Sequence, residues 1–172
     1  DSPGFNLQSL IIGSEGMLMV VTEITVKLLP RPQHTEVLLA AFDDIATAGQ
    51  AVSNIIAAGL IPAGLEMMDN NAICAAEDYA HAGYPRDAAA ILLIEIDGST
   101  INVEEQLKTT REVLNNSGVT ALKIARDDNE RALFWKGRKS AFPAVGRISP
   151  DYYCMDGTIP RKSLPEVLGF IT

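Results

Sequence analysis

Apolar and polar positions alternate through most of this chain, and the period of the alternation switches along it. Near the start, Leu10-Ile11-Ile12 leads into a glycine turn, Gly13-Ser14-Glu15-Gly16. A β-rich run follows from Met17 to Leu29. There Thr22, Ile24, Val26 and Leu28 share one strand face, and Glu23, Thr25 and Lys27 share the other. A lone strand cannot bury its apolar face, so this one is expected to belong to a sheet whose other strands lie outside these 172 residues. Pro30-Arg31-Pro32-Gln33-His34 is a stiff connection and the best candidate for a domain boundary. The expected division is residues 1–30 as the end of one domain, 31–34 as linker and 35–172 as a second domain.

After the boundary the period alternates between strand and helix. Thr35–Phe42 predicts a buried strand. Asp43 or Asp44 caps a helix to about Ala58, stopped by Gly59. Pro62–Met68 is a turn or short extended segment, and a short helix follows from about Asp69 to Tyr79. Ala88–Ile96 predicts a fully buried strand. Thr100 is placed to cap the next helix, whose core stripe is Val103, Leu107, Thr110 and Leu114. Gly118 ends that helix, and Val119–Ala125 is a strand. Asp127 or Asp128 starts a helix that Pro143 stops near Phe142. Tyr152–Ile159 predicts a strand, and Pro160 opens a last helix. This order predicts an α+β, ferredoxin-like domain with helices on one face of a mainly antiparallel sheet.

Composition narrows the function classes. Hydrophobic residues are 47% and charged residues 21%, a globular balance. The net charge of −8 disfavours nucleic acid and anionic membrane surfaces as partners. Small anions stay open, because one placed arginine overrides the global field at short range. The longest apolar stretches fall far short of the roughly 20 residues that span a bilayer. Cys74 and Cys154 lie far apart, without metal-ligand spacing, and are expected to be buried free thiols in a cytosolic setting.

A few residues stand out as chemistry. The glycines of Gly13-Ser14-Glu15-Gly16 permit close backbone approach and positive φ, so N–H groups can face a ligand; on the residues alone an ordinary tight turn is the better explanation. The spacing is neither a Walker loop nor GxGxxG. Glu15 would repel phosphate, so it is expected to accept hydrogen bonds from the loop backbone or a neutral hydroxyl. On the helix from about 128 to 142, Phe134, Trp135, Arg138 and Phe142 form one stripe. An arginine among aromatics needs an anion. That anion is either a bound carboxylate, which suits the planar fork, or a carboxylate of the protein. Glu66 and Asp69 suit helix initiation or capping better than a catalytic acid/base pair, Asp156-Gly157-Thr158 is turn chemistry, and Arg161 and Lys162 are expected to face solvent. His34 and His81 lack ligand partners at metal spacing.

The longer strings carry a family resemblance. Gly4-Phe5-Asn6-Leu7, Leu10-Ile11-Ile12-Gly13-Ser14-Glu15-Gly16-Met17-Leu18 and Lys27-Leu28-Leu29-Pro30 resemble the closing segment of the flavin domain in the vanillyl-alcohol-oxidase type of FAD-linked oxidases. Gly64-Leu65-Glu66-Met67-Met68-Asp69, Phe134-Trp135-Lys136-Gly137-Arg138-Lys139 and Ser149–Arg161 extend the resemblance, toward the glycolate oxidases and the D-lactate and D-2-hydroxyglutarate dehydrogenases of that family. The resemblance implies FAD as cofactor, contacted by Gly13, Ser14, Glu15, Gly16, Val20, Val21 and Thr22, and substrate-carboxylate binding by Arg138. Met19 departs from the glycine common in the family. It further implies oxidation of glycolate or a similar D-2-hydroxy acid. The base and any divalent metal ligands would lie outside these residues, so the chain alone would be inactive and retain little FAD. An iron–sulfur subunit and a peripheral place at the inner membrane are implied partners, and exposed apolar surface would favour a homodimer. The alternative is a non-catalytic ferredoxin-like ligand-binding or assembly domain, which leaves the orphan run 17–29 unexplained.

Overall fold

The computed structural model describes residues 4–171. The chain divides into two compact units, Asp1–Arg31 and Pro32–Thr172. In the first, helix α1 (Leu7–Ile11) is capped by Asn6, whose side-chain oxygen accepts from the Ser9 N–H at 3.2 Å. Residues 17–31 form no helix or strand and are exposed throughout. The alternation in 17–29 therefore has no partner ladder among the described residues.

The second unit is built on two long strands, β1 (His34–Phe42) and β3 (Ala90–Gly98), paired antiparallel in full register from His34↔Gly98 to Phe42↔Ala90. β2 (Gly64–Asp69) pairs with the outer side of β3, and β4 (Ala121–Ile124) with the outer side of β1. The order β2-β3-β1-β4, all antiparallel, is the split βαβ arrangement of a ferredoxin-like fold. Helix α2 (Ile45–Ala57) links β1 to β2, and α4 (Thr100–Asn116) links β3 to β4. An additional helix, α3 (Asn70–Ala80), is inserted between β2 and β3.

Helices cover both faces of the sheet, not one. Leu38, Ala40 and Phe42 of β1 and Leu92, Ile94 and Ile96 of β3 pack against Ala48, Ala51 and Ile55 of α2 and Val103 and Leu114 of α4. The alternate residues Val37, Leu39, Ala41, Ile91 and Leu93 pack against Ile73 and Ala76 of α3 and Phe134 of α5 (Asp128–Lys139). Coverage on both sides is why Val37–Phe42 and Ala90–Ile94 read as unbroken apolar runs, the signature of strands with no solvated face. A one-faced sheet needs a polar residue at every second position, and these strands lack them.

Side-chain caps fix where the helices begin. Asp44 accepts from the Thr47 N–H at 2.7 Å, Asp69 from Ala72 at 2.8 Å and Asp127 from Glu130 at 2.9 Å. Ser99, not Thr100, caps α4, its hydroxyl accepting from the Asn102 N–H at 3.4 Å. Of the expected α4 stripe, Val103, Thr110 and Leu114 are buried, while Leu107 is half-buried at the margin.

Three further expectations are corrected. Pro143 does not stop a helix. α5 breaks at Ser140, and α6 (Ala141–Ile148) carries Pro143 as its third residue. Pro143 falls in the first turn of α6, where a backbone N–H has no partner within its own helix, so the donor it lacks costs little. Tyr152–Ile159 forms no strand; it is exposed irregular chain except for half-buried Ile159. β2 and β4 already edge the sheet, and Tyr152–Cys154 lie along a cavity instead. Finally, both cysteines are free but not both buried: Cys74 is half-buried on α3, and Cys154, in that irregular chain, is exposed. After a 3₁₀ turn at Arg161–Ser163, the last helix, α7 (Leu164–Ile171), packs on α2.

β4 is short and its tie to α5 is ionic. Glu130 on α5 accepts from Arg126 Nε at 3.1 Å and from the Arg126 backbone N–H at 2.8 Å, and pairs with Lys123 Nζ on β4 at 2.8 Å. The Arg126 guanidinium, and then Lys123, lower its carboxyl from 4.5 to about 2. A depressed carboxylate contributes stability that is fully present above its unfolded value and lost as pH falls through the folded one. Denaturation midpoints measured from pH 5 to pH 2 should therefore fall most steeply between about 4.5 and 2, and Glu130→Gln should remove part of that fall. Thr110, fully buried on α4, has a hydroxyl with no hydrogen-bond partner. Thr110→Val should raise the unfolding free energy by about 1 kcal/mol in urea titrations, because it removes an unsatisfied polar atom at nearly constant volume.

Candidate functional site

The second unit carries a largely apolar cavity of about 460 Å³. Met67, Met68 and Asp69 at the end of β2 form one wall; Ala141, Phe142 and Val145 of α6 form another. Tyr152–Cys154 add to the lining with Leu168 and Ile171 of α7, and Arg138 is its one cationic side chain. A single cation on an apolar wall suits a small carboxylate, since the field is strong where water is few.

Local sequence explains how Arg138 is held. It lies in the last turn of α5, where a cation favours the helix dipole. Phe134, one turn earlier, is fully buried and anchors the helix to the sheet. Trp135 donates its indole N–H to Glu95 of β3 at 2.5 Å. Gly137 leaves a notch into which Tyr84 inserts, and the buried Tyr84 hydroxyl donates to the Phe134 carbonyl in a short hydrogen bond. The same hydroxyl meets the backbone N–H of Arg138. Burial pushes the Tyr84 phenol well above its usual range, so it remains a donor at any physiological pH.

The guanidinium itself has a protein partner. Glu66 Oε2 accepts from Arg138 Nε at 3.1 Å and forms an ion pair with Nη2 at 2.9 Å. Of the two anions that the sequence leaves open for this arginine, a protein carboxylate is thus present. Glu66 sits within β2 and caps nothing, whereas Asp69 caps α3 as expected. The expected aromatic stripe is shortened: Phe142 lies past the break at Ser140, on α6, and is mostly exposed. Sequence reasoning missed Glu66 as the partner, as well as the Tyr84–Gly137 contact and the place of Tyr152–Cys154 on the cavity wall. A glycine inside a helix amid large side chains was the one available signal for the notch.

The remaining candidates lie elsewhere. His34 is paired with Glu36 at 2.9 Å, and His81 ends α3 in a left-handed conformation; neither borders the cavity. Asp156, Gly157 and Thr158 are exposed irregular chain, and Arg161 and Lys162 face solvent. Among the described residues no group of three His, Cys, Asp or Glu could hold a metal ion. No helix among them is long and apolar enough to cross a membrane.

In the first unit, Gly13 and Gly16 adopt φ of +82° and +79°, and a Cβ at either would meet nothing within 4 Å. Conformation, not packing, demands glycine at both. Ser14, half-buried, donates its N–H to Ile11, and Met17 donates to Ser14. The N–H groups of Gly13, Glu15 and Gly16 find no partner among the described residues, and the Glu15 carboxylate makes no bond to the loop. Val20, Val21 and Thr22 are exposed beside Met17 and Leu18.

A model of the family described as "FAD linked oxidases, C-terminal domain" matches residues 31–172. The chain is 62% identical over 168 residues to the glycolate oxidase subunit GlcD of Escherichia coli (strain K12), covering 98% of this chain and 34% of that protein. It is 29% identical over 167 residues to a probable mitochondrial D-lactate dehydrogenase of Danio rerio, covering 96% of this chain and 33% of that one. The chain thus spans about a third of the length of these curated relatives. Among solved structures, an alkyldihydroxyacetonephosphate synthase superposes with a TM-score of 0.63 at 20% identity, over 86% of this chain and 30% of that one, which shows a shared fold.

The notch behind Arg138 is directly testable. A Cβ at Gly137 would lie 2.5 Å from the Tyr84 hydroxyl oxygen and 2.7 Å from Ala82 Cβ. Gly137→Ala should destabilise the fold by about 2 to 3 kcal/mol, read as a shift in denaturation midpoint, because both neighbours are buried and cannot yield.

Proposed function

Because the chain belongs to the FAD-linked oxidase family, as its C-terminal domain, we propose that the whole protein oxidises glycolate or a similar D-2-hydroxy acid to the 2-oxo acid. FAD, when bound, accepts the hydride removed from the hydroxyl-bearing carbon. In this reading residues 1–30 close the flavin domain, 31–34 link, and 35–172 form most of the substrate domain. The N–H groups of Gly13, Glu15 and Gly16, with Ser14 and the Val20–Thr22 backbone, line one edge of the cofactor. The base, and any divalent metal, are held by residues outside these 172.

Arg138 carries the reading, as the one cation on the wall of an apolar cavity. Its guanidinium holds the substrate carboxylate, and the cavity's methionines and aromatics exclude water around the reacting carbon. Glycolate leads over D-lactate on the higher identity to the glycolate oxidase subunit. That relative is named a subunit, which supports a multi-subunit complex. An iron–sulfur partner that takes the electrons onward, association at the inner membrane and a homodimer belong to the same reading.

In the full-length protein, Arg138→Met should raise KM for glycolate by roughly two orders of magnitude, with FAD still bound, as expected for loss of a charged anchor in a shielded site. Steady-state kinetics with flavin absorbance checks both. An unchanged KM and kcat would favour a ferredoxin-like binding or assembly module instead.

A further inference from the structure

Arg138 has two usable edges, and Glu66 occupies one of them. Its single oxygen Oε2 accepts from Nε at 3.1 Å and forms an ion pair with Nη2 at 2.9 Å. Those two nitrogens define the side edge of the guanidinium. The end edge, formed by Nη1 and the outer N–H of Nη2, has no partner among the described residues. Arg138 borders the cavity, while Glu66 does not. The protein carboxylate therefore approaches from outside the cavity and leaves a bidentate fork for a second carboxylate.

Glu66 is well placed to hold an orientation. It lies within β2, where it is paired across to Leu93 of β3, and the main chain there is fixed by the sheet. The backbone under Arg138 is fixed from the other side by the Tyr84 hydroxyl in the Gly137 notch. A free arginine samples many rotamers, and ordering it on each binding event weakens affinity. An arginine ordered beforehand avoids that loss. Glu66 also carries a cost, since its negative charge stands near the arriving anion. Retaining it is worthwhile only if orientation outweighs repulsion.

From this geometry we infer that Glu66 is a positioning residue, which holds the side edge of Arg138 so that the end edge takes the substrate carboxylate. The inference rests on the proposed role of Arg138 and extends it to a residue that does not itself touch the substrate. Because Glu66 acts through Arg138 alone, its effect disappears when Arg138 is absent. For the same reason it is confined to substrates that carry the carboxylate.

The test compares Glu66→Ala, Glu66→Gln, Arg138→Met and the double variant Glu66→Ala/Arg138→Met in the full-length flavoprotein, with glycolate and its uncharged analogue glycolamide. Glu66→Ala should lower kcat/KM for glycolate about tenfold, mostly through KM, with little effect on glycolamide. Glu66→Gln keeps an acceptor oxygen and should lose less. In the Arg138→Met background, Glu66→Ala should add no further loss. If Arg138→Met lowers kcat/KM for glycolate while both Glu66 variants match or exceed wild type, the positioning role is overturned and the arginine anchor stands. Equal losses on glycolate and glycolamide, or additive losses in the double variant, would also overturn it, as marks of a general structural defect. If Arg138→Met itself changes nothing, the substrate reading falls, and this inference with it.

Discussion

Everything in the larger unit follows from the burial of β1 and β3 on both faces. Val37 to Phe42 and Ala90 to Ile94 are buried at every position. Each apolar side chain so buried contributes roughly 1.5 to 3 kcal/mol, and the contribution requires a helical layer on either side. The layer of α2 and α4 serves this purpose. The opposite layer, α3 and α5, serves it too, and in doing so fixes the height and rotation of α5 above the sheet. Phe134 is the fully buried contact that does this. Arg138 lies one turn further along the same helix, so its location is inherited from the core.

The inherited placement is then refined by polar contacts of different strength. The Tyr84 hydroxyl bond to the Phe134 carbonyl is buried and short, and it forms only because position 137 has no side chain. The Glu66–Arg138 pair is 31% exposed at the arginine and 42% at the glutamate, so its contribution to stability is small. Its value is directional, since both nitrogens of one guanidinium edge lie within about 3 Å of one oxygen. Glu130 shows the contrasting use of charge. There two cations converge on one nearly buried carboxylate and tie a short edge strand to α5. One cluster stabilises, the other orients, and their exposure separates the two roles.

Much of the fold was legible in the sequence because its signals are local. Asp44, Asp69 and Asp127 announce helix starts, glycines 59 and 118 announce stops, and the apolar runs announce the strands. What was illegible depended on partners distant in sequence. The second helical layer hides in the unbroken apolar runs, which a one-faced reading treats as ordinary buried strands. Tyr152–Ile159 has strand-like alternation, but it pairs with neither edge strand, β2 nor β4. Pro143 reads as a stop because the rung it removes was assumed to lie inside a helix. At the site, Arg138 was visible as an arginine among aromatics. Its partner Glu66 was not, because 72 residues separate them and only the sheet brings them together.

The electrostatic setting gives the site its direction. A chain of net charge −8 repels anions at long range, yet the proposed substrate is an anion. Screening limits that repulsion to about 8 Å at physiological ionic strength, so the approach is governed by the nearest charges. At the cavity these are Arg138 and Asp69 on its wall, with Glu66 just outside. Asp69 is engaged in capping α3, and Glu66 is engaged with the side edge of the arginine. Both carboxylates are therefore neutralised in part by donors of the protein, whereas the end edge of Arg138 keeps its N–H groups. A small carboxylate entering the cavity meets one unspent pair of donors. A neutral acid or amide of the same size meets the same apolar walls but forfeits the charge-assisted pair, and on this arrangement the site discriminates by charge before it discriminates by shape.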